Sequence, residues 1–543
     1  MPASKRVVYG CWLLAMAAFA GLHALNLRAD FPNHSPWWMD WAKYTDEGWY
    51  GNAAIRAHLL GNWYLRGDFN PAVATPVWPF LEWVLFFFTG VTVEAARGLA
   101  IACFFSSLLL TYLLLRSRGP RWMALLAVTL LVTSPFLYCF SRLAILEPLL
   151  TTLTLAVLNL AVRLPGFRRP VGVSVGIGLL FALMVLTKTT AIFLLPALVW
   201  AMVLPLWKHG RVLVRCLAAA AGSAGASLGL WMALVVRLGL LADFRYFFSV
   251  NAYSRPNEFY WPLVSLWWSL HGGLWVDRIL FPLAGLVVAG ALLSWRWARA
   301  RRLRLDPVFG ASVLAVAGTL LFMVVQNHPQ PRYFSVAAIF CFIIVAQGAG
   351  ALLGEAGATG ALDGGEGASS RWRAPMTGRA LLGLTAVATG INAAWTLDYA
   401  THPEYSFVEA AQRLTRTIDQ HPNGKRLLVC ASGDQITLVT HLPALNDQFT
   451  GPDPAIPDLA GKVGFYQPGW YATWNYLDQG ALEDLHSHYS VEQVASFRAF
   501  DDGERNVLVL FKLHPWPGGQ VYDPADRDLR TPFPEDKIEI PMQ

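Results

Sequence analysis

Long apolar runs separated by short polar connections fill the first three quarters of this chain. An α-helix rises about 1.5 Å per residue, so about 20 apolar residues cross the hydrocarbon core of a bilayer. Eleven runs come close to that length: 7–27, 95–115, 122–140, 144–162, 171–187, 190–207, 212–236, 279–297, 308–326, 334–352 and 378–397. Each is predicted to be a transmembrane helix, and the Pro and Gly within them are tolerated in such helices. The first reads as a retained span, because no small-residue cleavage site precedes the polar stretch after Asn26. The stretch from Val77 to Gly90 is apolar but short and carries Glu82, which predicts an interfacial or re-entrant helix.

Charge fixes the sidedness. With Val77–Gly90 lying in the interface, the basic clusters Lys5/Arg6, Arg116/Arg118/Arg121, Arg163/Arg168/Arg169, Lys208/Arg211/Arg215, Arg296 through Arg304, and Arg371/Arg373/Arg379 all fall on one side. The excess of Lys and Arg in cytoplasmic loops makes that side the cytoplasm. The predicted protein is then a multi-pass protein of a bacterial-type inner membrane, with a cytoplasmic N-terminus. Its large outward segments are a first loop (28–94), a second from Leu241 to Arg278, and the tail. Residues 1–352 form a transmembrane module, 353–376 a Gly/Ala/Ser-rich cytoplasmic linker, and 377–397 a last span.

The tail, 398–543, changes character. Ser406 to Gln420 reads as an amphipathic helix, and Arg426 to Ala431 and Asn506 to Lys512 as strands. Leu482 to Leu485 and Ser490 to Phe497 look helical. Strands alternating with helices predict a small soluble α/β domain on the extracytoplasmic side. Its Ser432-Gly433-Asp434 follows a strand and reads as a plain strand-to-helix turn, with a lone Gly as a weak phosphate signal. The fold class predicted overall is an α-helical polytopic membrane protein with a C-terminal α/β domain.

Composition agrees. The chain is 55% hydrophobic and only 14% charged, against about 25% charged in ordinary soluble domains. Of its 36 acidic residues, 21 lie after Leu397. This excludes a soluble multidomain enzyme, and 13% aromatic residues with 23 Trp exclude disorder. Five of six Cys lie in or beside apolar runs, which excludes a disulfide scaffold. The net charge of +6 sits in short loops and calls for no nucleic acid.

Chemistry concentrates where polar groups interrupt outward span ends. Tyr44-Thr45-Asp46-Glu47-Gly48-Trp49-Tyr50 is either an acidic turn capping a helix from Gly48 to Leu60, or a general base with its neighbours. Arg142 and Glu147 flank the start of an apolar run, where a carboxylate must be paired or functional; a local pair with Arg142 is the plainer reading. Lys188, in a hairpin too short for a loop, either snorkels to the interface or meets an anion. His328-Pro329-Gln330-Pro331-Arg332-Tyr333 holds an arginine that either forks onto phosphate or binds helix-end carbonyls. His328 has no His or Cys at ligand spacing, so no metal is predicted there. Two carboxylates and two or more cations on one membrane face suit group transfer from a phosphate leaving group to a hydroxyl.

In order and sidedness, Asp46-Glu47, Arg142…Glu147-Pro148, Thr187-Lys188 and His328…Pro331-Arg332-Tyr333 resemble the motifs of the GT-C integral-membrane glycosyltransferases. The likeness is to the protein-mannosyltransferase and aminoarabinose-transferase branch, over roughly residues 1–350. The resemblance implies an inverting enzyme that takes a sugar from a polyprenyl-phosphate carrier at the outer membrane face. Asp46, Glu47 and Glu147 would be catalytic. Lys188, Arg332, Arg255 and Arg142 would bind the donor phosphate, and Tyr50, His328 and Tyr333 would line the substrate. Two departures stand where relatives of that branch can hold a metal: Ala74-Thr75-Pro76-Val77, and Phe247 to Ala252 without acidic residue or His. Metal independence is therefore expected, with no cofactor and with Arg255 or Arg332 taking part of the phosphate contact. The expected partners are membrane lipid, the lipid-linked sugar, and a glycan, lipid or protein acceptor. The rival class is a transporter or flippase, against which stand the absent internal repeat and charges gathered at one face.

Overall fold

The computed structural model describes residues 3–37, 40–43, 46–250, 261–294, 298–326, 330–353, 376–421, 425–447, 451–474, 485, 489–500 and 506–515. Helices α1 (Ala3–Ala24), α2 (Asp46–Leu59), α3 (Val77–Thr89) and α4 (Val93–Arg116) lead into α5 (Arg121–Thr133), α6 (Pro135–Phe140), α7 (Leu146–Ala161) and α8 (Pro170–Thr187). After them come α9 (Leu195–Leu206), α10 (Gly210–Arg237), α11 (Leu241–Val250), α12 (Trp261–Gly273) and α13 (Leu280–Leu293). Then follow α14 (Ala298–Arg304), α15 (Pro307–Gln326), α16 (Ser335–Leu352) and α17 (Met376–Thr401).

Among the described residues, eight helical segments are long and apolar enough to cross a membrane, at α1, α4, α8, α9 with the 3-10 turn before it, α10, α15, α16 and α17. The other three predicted runs fall on shorter apolar helices: α5 with α6, α7, and α13. Residues 122–140 are not one helix. Ser134 stops α5, and its hydroxyl accepts from the Leu137 N–H to cap α6, whose first residue is Pro135; proline fits that first position because it has no N–H to waste. At 13 residues, α3 spans about 20 Å, short of the roughly 30 Å needed to cross. It buries Trp78, Glu82 and Phe86, one face at intervals of four, and exposes Phe80, Phe87 and Phe88.

The core of the bundle is α16. Every residue from Ser335 to Gly350 is buried, as its apolar character on all sides requires. Around it pack α5, α7, α13, α15 and α17. At the rim, α1 and α10 leave Leu14 and Leu230 exposed, where lipid is the fitting solvent. All six cysteines are unpaired.

The tail opens with α18 (Ser406–Gln420), whose Phe407, Ala411, Leu414 and Ile418 are buried along one face. Then come β1 (Leu428–Cys430), α19 (Gly433–Thr440), β2 (Ala444–Leu445), α20 (Leu459–Tyr466), β3 (Trp470–Trp474), β4 (Tyr489–Arg498) and β5 (Val507–Pro515). They form one sheet in the order β2-β1-β3-β5-β4, parallel at β2-β1-β3 and antiparallel at β3-β5-β4. Residues 490–497, expected to be helical, are instead an edge strand. Val491, Val494 and Phe497 recur every three residues, like a helix face, because a bulge falls between Gln493 and Ala495. The extra residue breaks the two-residue alternation of a strand. Val491 consequently packs on one side of the sheet with Leu513, while Val494 and Phe497 pack on the other with Leu508 and Leu510. Of 482–485 only Leu485 is among the described residues, and the predicted linker is largely outside them.

The tail domain rests on the first loop, with α19 packed against α2. Ser432-Gly433-Asp434 is the turn into α19, and Asp434 uses its carboxylate on Arg56 of α2, at 3.0 and 3.2 Å. Arg56 also pairs with Asp68 at 2.7 Å, and Asp68 with Lys462 at 2.7 Å. All four groups are buried. Burial pushes the Asp434 carboxyl up to about 6 against the pull of Arg56.

Candidate active site

Helix ends supply the charges. Asp46 and Glu47 occupy the first turn of α2 and Glu147 the first turn of α7, while Lys188 follows the last residue of α8. Each sign suits the partial charge of its helix end, positive at the N-terminus and negative at the C-terminus. Arg332 lies in the 3-10 turn Pro331–Phe334 that leads into α16. Four different segments of the chain thus converge at one end of the bundle.

Arg332 is the hub. Its Nη1 meets Asp40 Oδ1 at 2.6 Å and its Nη2 meets Asp46 Oδ2 at 2.8 Å. Its backbone N–H donates to Asp40 Oδ2 at 2.7 Å. A planar guanidinium can serve two carboxylates in fixed directions, which a lysine cannot. Beside it, Lys188 Nζ donates to Glu147 Oε1. The ring of Tyr333 joins the two halves: Lys188 Nζ stands 4.2 Å from its centroid and the Arg332 guanidinium carbon 4.7 Å. Tyr50, buried within the field of Asp46, Arg332, Tyr333 and Glu147, has its phenol pushed well up by burial and stays protonated. A small cavity of about 30 Å³ borders Glu147, Lys188 and Tyr333, walled by Phe193, Leu194 and Phe322.

Six of the expected residues therefore meet: Asp46, Tyr50, Glu147, Lys188, Arg332 and Tyr333. Two others face elsewhere. Glu47 accepts from Arg97 Nε at 2.7 Å and Nη2 at 2.6 Å, and from the Ala144 N–H at 2.9 Å. Arg142 donates to the carbonyls of Leu25 and Asn26, at 2.6 and 2.7 Å, and to the Tyr138 hydroxyl. The carbonyl-binding reading offered for Arg332 thus belongs to Arg142, which tethers the chain just after α1 and away from Lys188. The local pair of Arg142 with Glu147 is not formed; Glu147 pairs with Lys188. Arg255 and His328 lie outside the described residues.

Two participants were missed. Asp40 sits among tryptophans, where its carboxylate first looks like a turn former, and it does accept from the Ala42 N–H at 2.8 Å. Arg97 left a clearer signal, an arginine one turn into an apolar run. Among the described residues no group of three or more His, Cys, Asp or Glu is placed to hold a metal ion.

No protein-family model matches the chain, and no curated protein matches it in sequence. Solved structures do. ArnT from Cupriavidus metallidurans bound to undecaprenyl phosphate superposes with a TM-score of 0.60 at 14% identity, covering 94% of this chain and 98% of that one. The oligosaccharyltransferase AglB from Archaeoglobus fulgidus, in complex with an inhibitory peptide and a dolichol-phosphate, gives 0.49 at 12% identity, over 91% and 74% of the two chains. The arabinofuranosyltransferase AftD from Mycobacteria gives 0.47 at 14% identity, over 93% and 40%. All three are GT-C membrane glycosyltransferases. This chain is a polytopic membrane protein with the GT-C fold.

Proposed function

We propose that the protein is an inverting glycosyltransferase that moves a sugar from a polyprenyl-phosphate carrier to a hydroxyl acceptor on the outer face of the membrane. One observation carries the reading: the Asp40–Arg332–Asp46 and Glu147–Lys188 ion pairs share one buried site through Tyr333. The ArnT likeness, to a protein bound to undecaprenyl phosphate, supports a donor of the same class.

In this reading Asp46 takes the proton from the acceptor hydroxyl as its oxygen attacks the anomeric carbon. The bond from that carbon to the phosphate oxygen breaks, and the carrier leaves as the phosphate. Lys188 and Arg332 meet the charge that grows on that oxygen, where fixed cations in a water-poor site act strongly. An ammonium has three donors, so Lys188 can keep Glu147 and still reach phosphate. The apolar walls at Phe193 and Phe322 suit the first isoprene units of the carrier. Tyr50 holds a sugar or acceptor hydroxyl in this reading. The tail domain lies outside the membrane in this arrangement.

The direct test is Asp46→Asn in membranes given a polyprenyl-phosphate sugar. The amide keeps the shape and cannot take the proton, so transfer should fall by about 10²-fold or more. Unchanged transfer removes Asp46 as the base. Metal independence is part of the proposal: transfer should be the same with and without EDTA, and a loss restored by a divalent cation overturns that part.

A further inference from the structure

We propose that Gln435, in the tail domain, is a positioning residue for Asp46, so that the tail domain belongs to the catalytic unit. The inference rests on the reading of Asp46 as the base.

Gln435 is 3% exposed and sits on α19, 387 residues from the helix it touches. Its Oε1 accepts from the Gly48 backbone N–H at 2.9 Å. Its Nε2 donates to Glu47 Oε2 at 3.1 Å. The first N–H groups of a helix have no partner within that helix, and one is normally met by a neighbouring side chain in sequence. Here the cap comes from another domain. One amide grips the two residues that directly follow Asp46, a backbone donor and a carboxylate acceptor together. This takes a side chain with both a donor and an acceptor, and the Gln amide carries the two on separate atoms.

The approach is as close as backbones allow. A Cβ on Gly48 would run into the backbone of Asp434 and Gln435. Glycine at 48 therefore lets α2 lie directly on the start of α19. The contact is stapled about two helical turns further along α2 by the buried Arg56–Asp434 pair, and the buried Asp68–Lys462 pair joins the first loop to α20. With Arg97 and the Ala144 N–H already on Glu47, Gln435 completes its set of partners. Asp46 is then fixed from two sides: its carboxylate by Arg332, and its backbone through Glu47 and Gly48. A base displaced by about 1 Å from its working geometry loses on the order of 10²-fold in rate, so a hold of this kind on the backbone matters to turnover.

The experiment compares full-length wild type with Gln435→Leu and Gln435→Glu in detergent. Hydrogen exchange is read by mass spectrometry over 46–59, binding is read with undecaprenyl phosphate, and transfer is measured in native membranes on their own lipid-linked sugars. For Gln435→Leu, exchange over 46–59 should quicken at least tenfold while β3 and β5 keep their protection. Undecaprenyl phosphate should bind as in wild type and transfer should fall at least tenfold. For Gln435→Glu, the new carboxyl faces Glu47; read against wild type at the same pH, exchange should be faster at pH 7.5 and return to the wild-type rate at pH 5.5, where a shared proton restores the donor. Unchanged exchange over 46–59 overturns the clamp. Fast exchange with wild-type transfer overturns the positioning role. Normal transfer by Asp46→Asn overturns the reading of the base and leaves the exchange result to judge the clamp by itself.

Discussion

Removing Lys188 and Glu147 singly and together separates what holds the site from what the site does. Glu147 is 1% exposed and Lys188 8%. Among the described residues the second oxygen of Glu147 has no hydrogen-bond partner, so Lys188 is its principal support. Lys188→Met leaves a buried carboxylate uncompensated, which costs about 3–5 kcal/mol. At about 1.4 kcal/mol per decade this is a hundredfold or more in the folding equilibrium. In a chain of 543 residues, with about 2.1 cal/mol/K of unfolding entropy per residue, it should lower Tm by about 3–4 °C. Glu147→Gln strands the ammonium and should cost about as much. The double variant Glu147→Gln/Lys188→Met has neither charge to strand, so it should recover most of the lost Tm. Its transfer should not recover, because the donor phosphate has lost a charge-assisted hydrogen bond worth about 1.5–3 kcal/mol, or about 10–100-fold in KM for the donor. Thermal unfolding in detergent followed by light scattering gives the first quantity, and transfer in membranes the second. A double variant as unstable as its parents would show that the pair is not coupled. A Lys188→Met protein with wild-type KM would remove Lys188 from the phosphate site.

Two further outcomes follow from the same geometry. Arg142→Gln should lower Tm while leaving the donor KM within about twofold, since Arg142 serves the Leu25 and Asn26 carbonyls through bonds worth about 1.5–3 kcal/mol each; a selective rise in KM would place it in the donor site after all. Asp30 accepts from Phe407 N–H at 2.7 Å and Ser406 Oγ at 3.1 Å, and burial pushes its carboxyl from 3.8 up to about 7. The folded protein therefore binds this proton more tightly than the unfolded chain, so the Asp30 contribution to stability falls as pH rises from about 4 to about 7. Tm measured at pH 5.5 and 7.5 should differ less in Asp30→Asn than in wild type, and equal slopes refute the assignment.

Much of this protein was legible as sequence, for a reason local to each residue. An apolar run declares a span, because exposing its backbone or charging its interior in lipid is costly wherever its neighbours lie. The same cost marked Glu147 and Lys188 as paired or functional, and the amphipathic repeat of Ser406–Gln420 gave α18 to the residue. Local patterns failed where one inserted residue altered the period, as at the β4 bulge, or where a Ser-Pro step split a continuous apolar run into α5 and α6.

Partners were another matter. The sequence marked Arg142 and Arg332 as arginines in need of partners, but not which partners. Only the meeting of the turn Pro331–Phe334 with the start of α2 and the segment before it sent Arg332 to Asp40 and Asp46, and only the nearness of the chain just after α1 sent Arg142 to backbone carbonyls. Gln435 carries no signal in its own segment, since an amide on an α/β domain is unremarkable until that domain lies against the first loop. The cost of burying a charge or an N–H is set by the group itself and can be read along the chain. The group that answers it is set by which segments meet, often hundreds of residues apart, and the tertiary fold alone decides that.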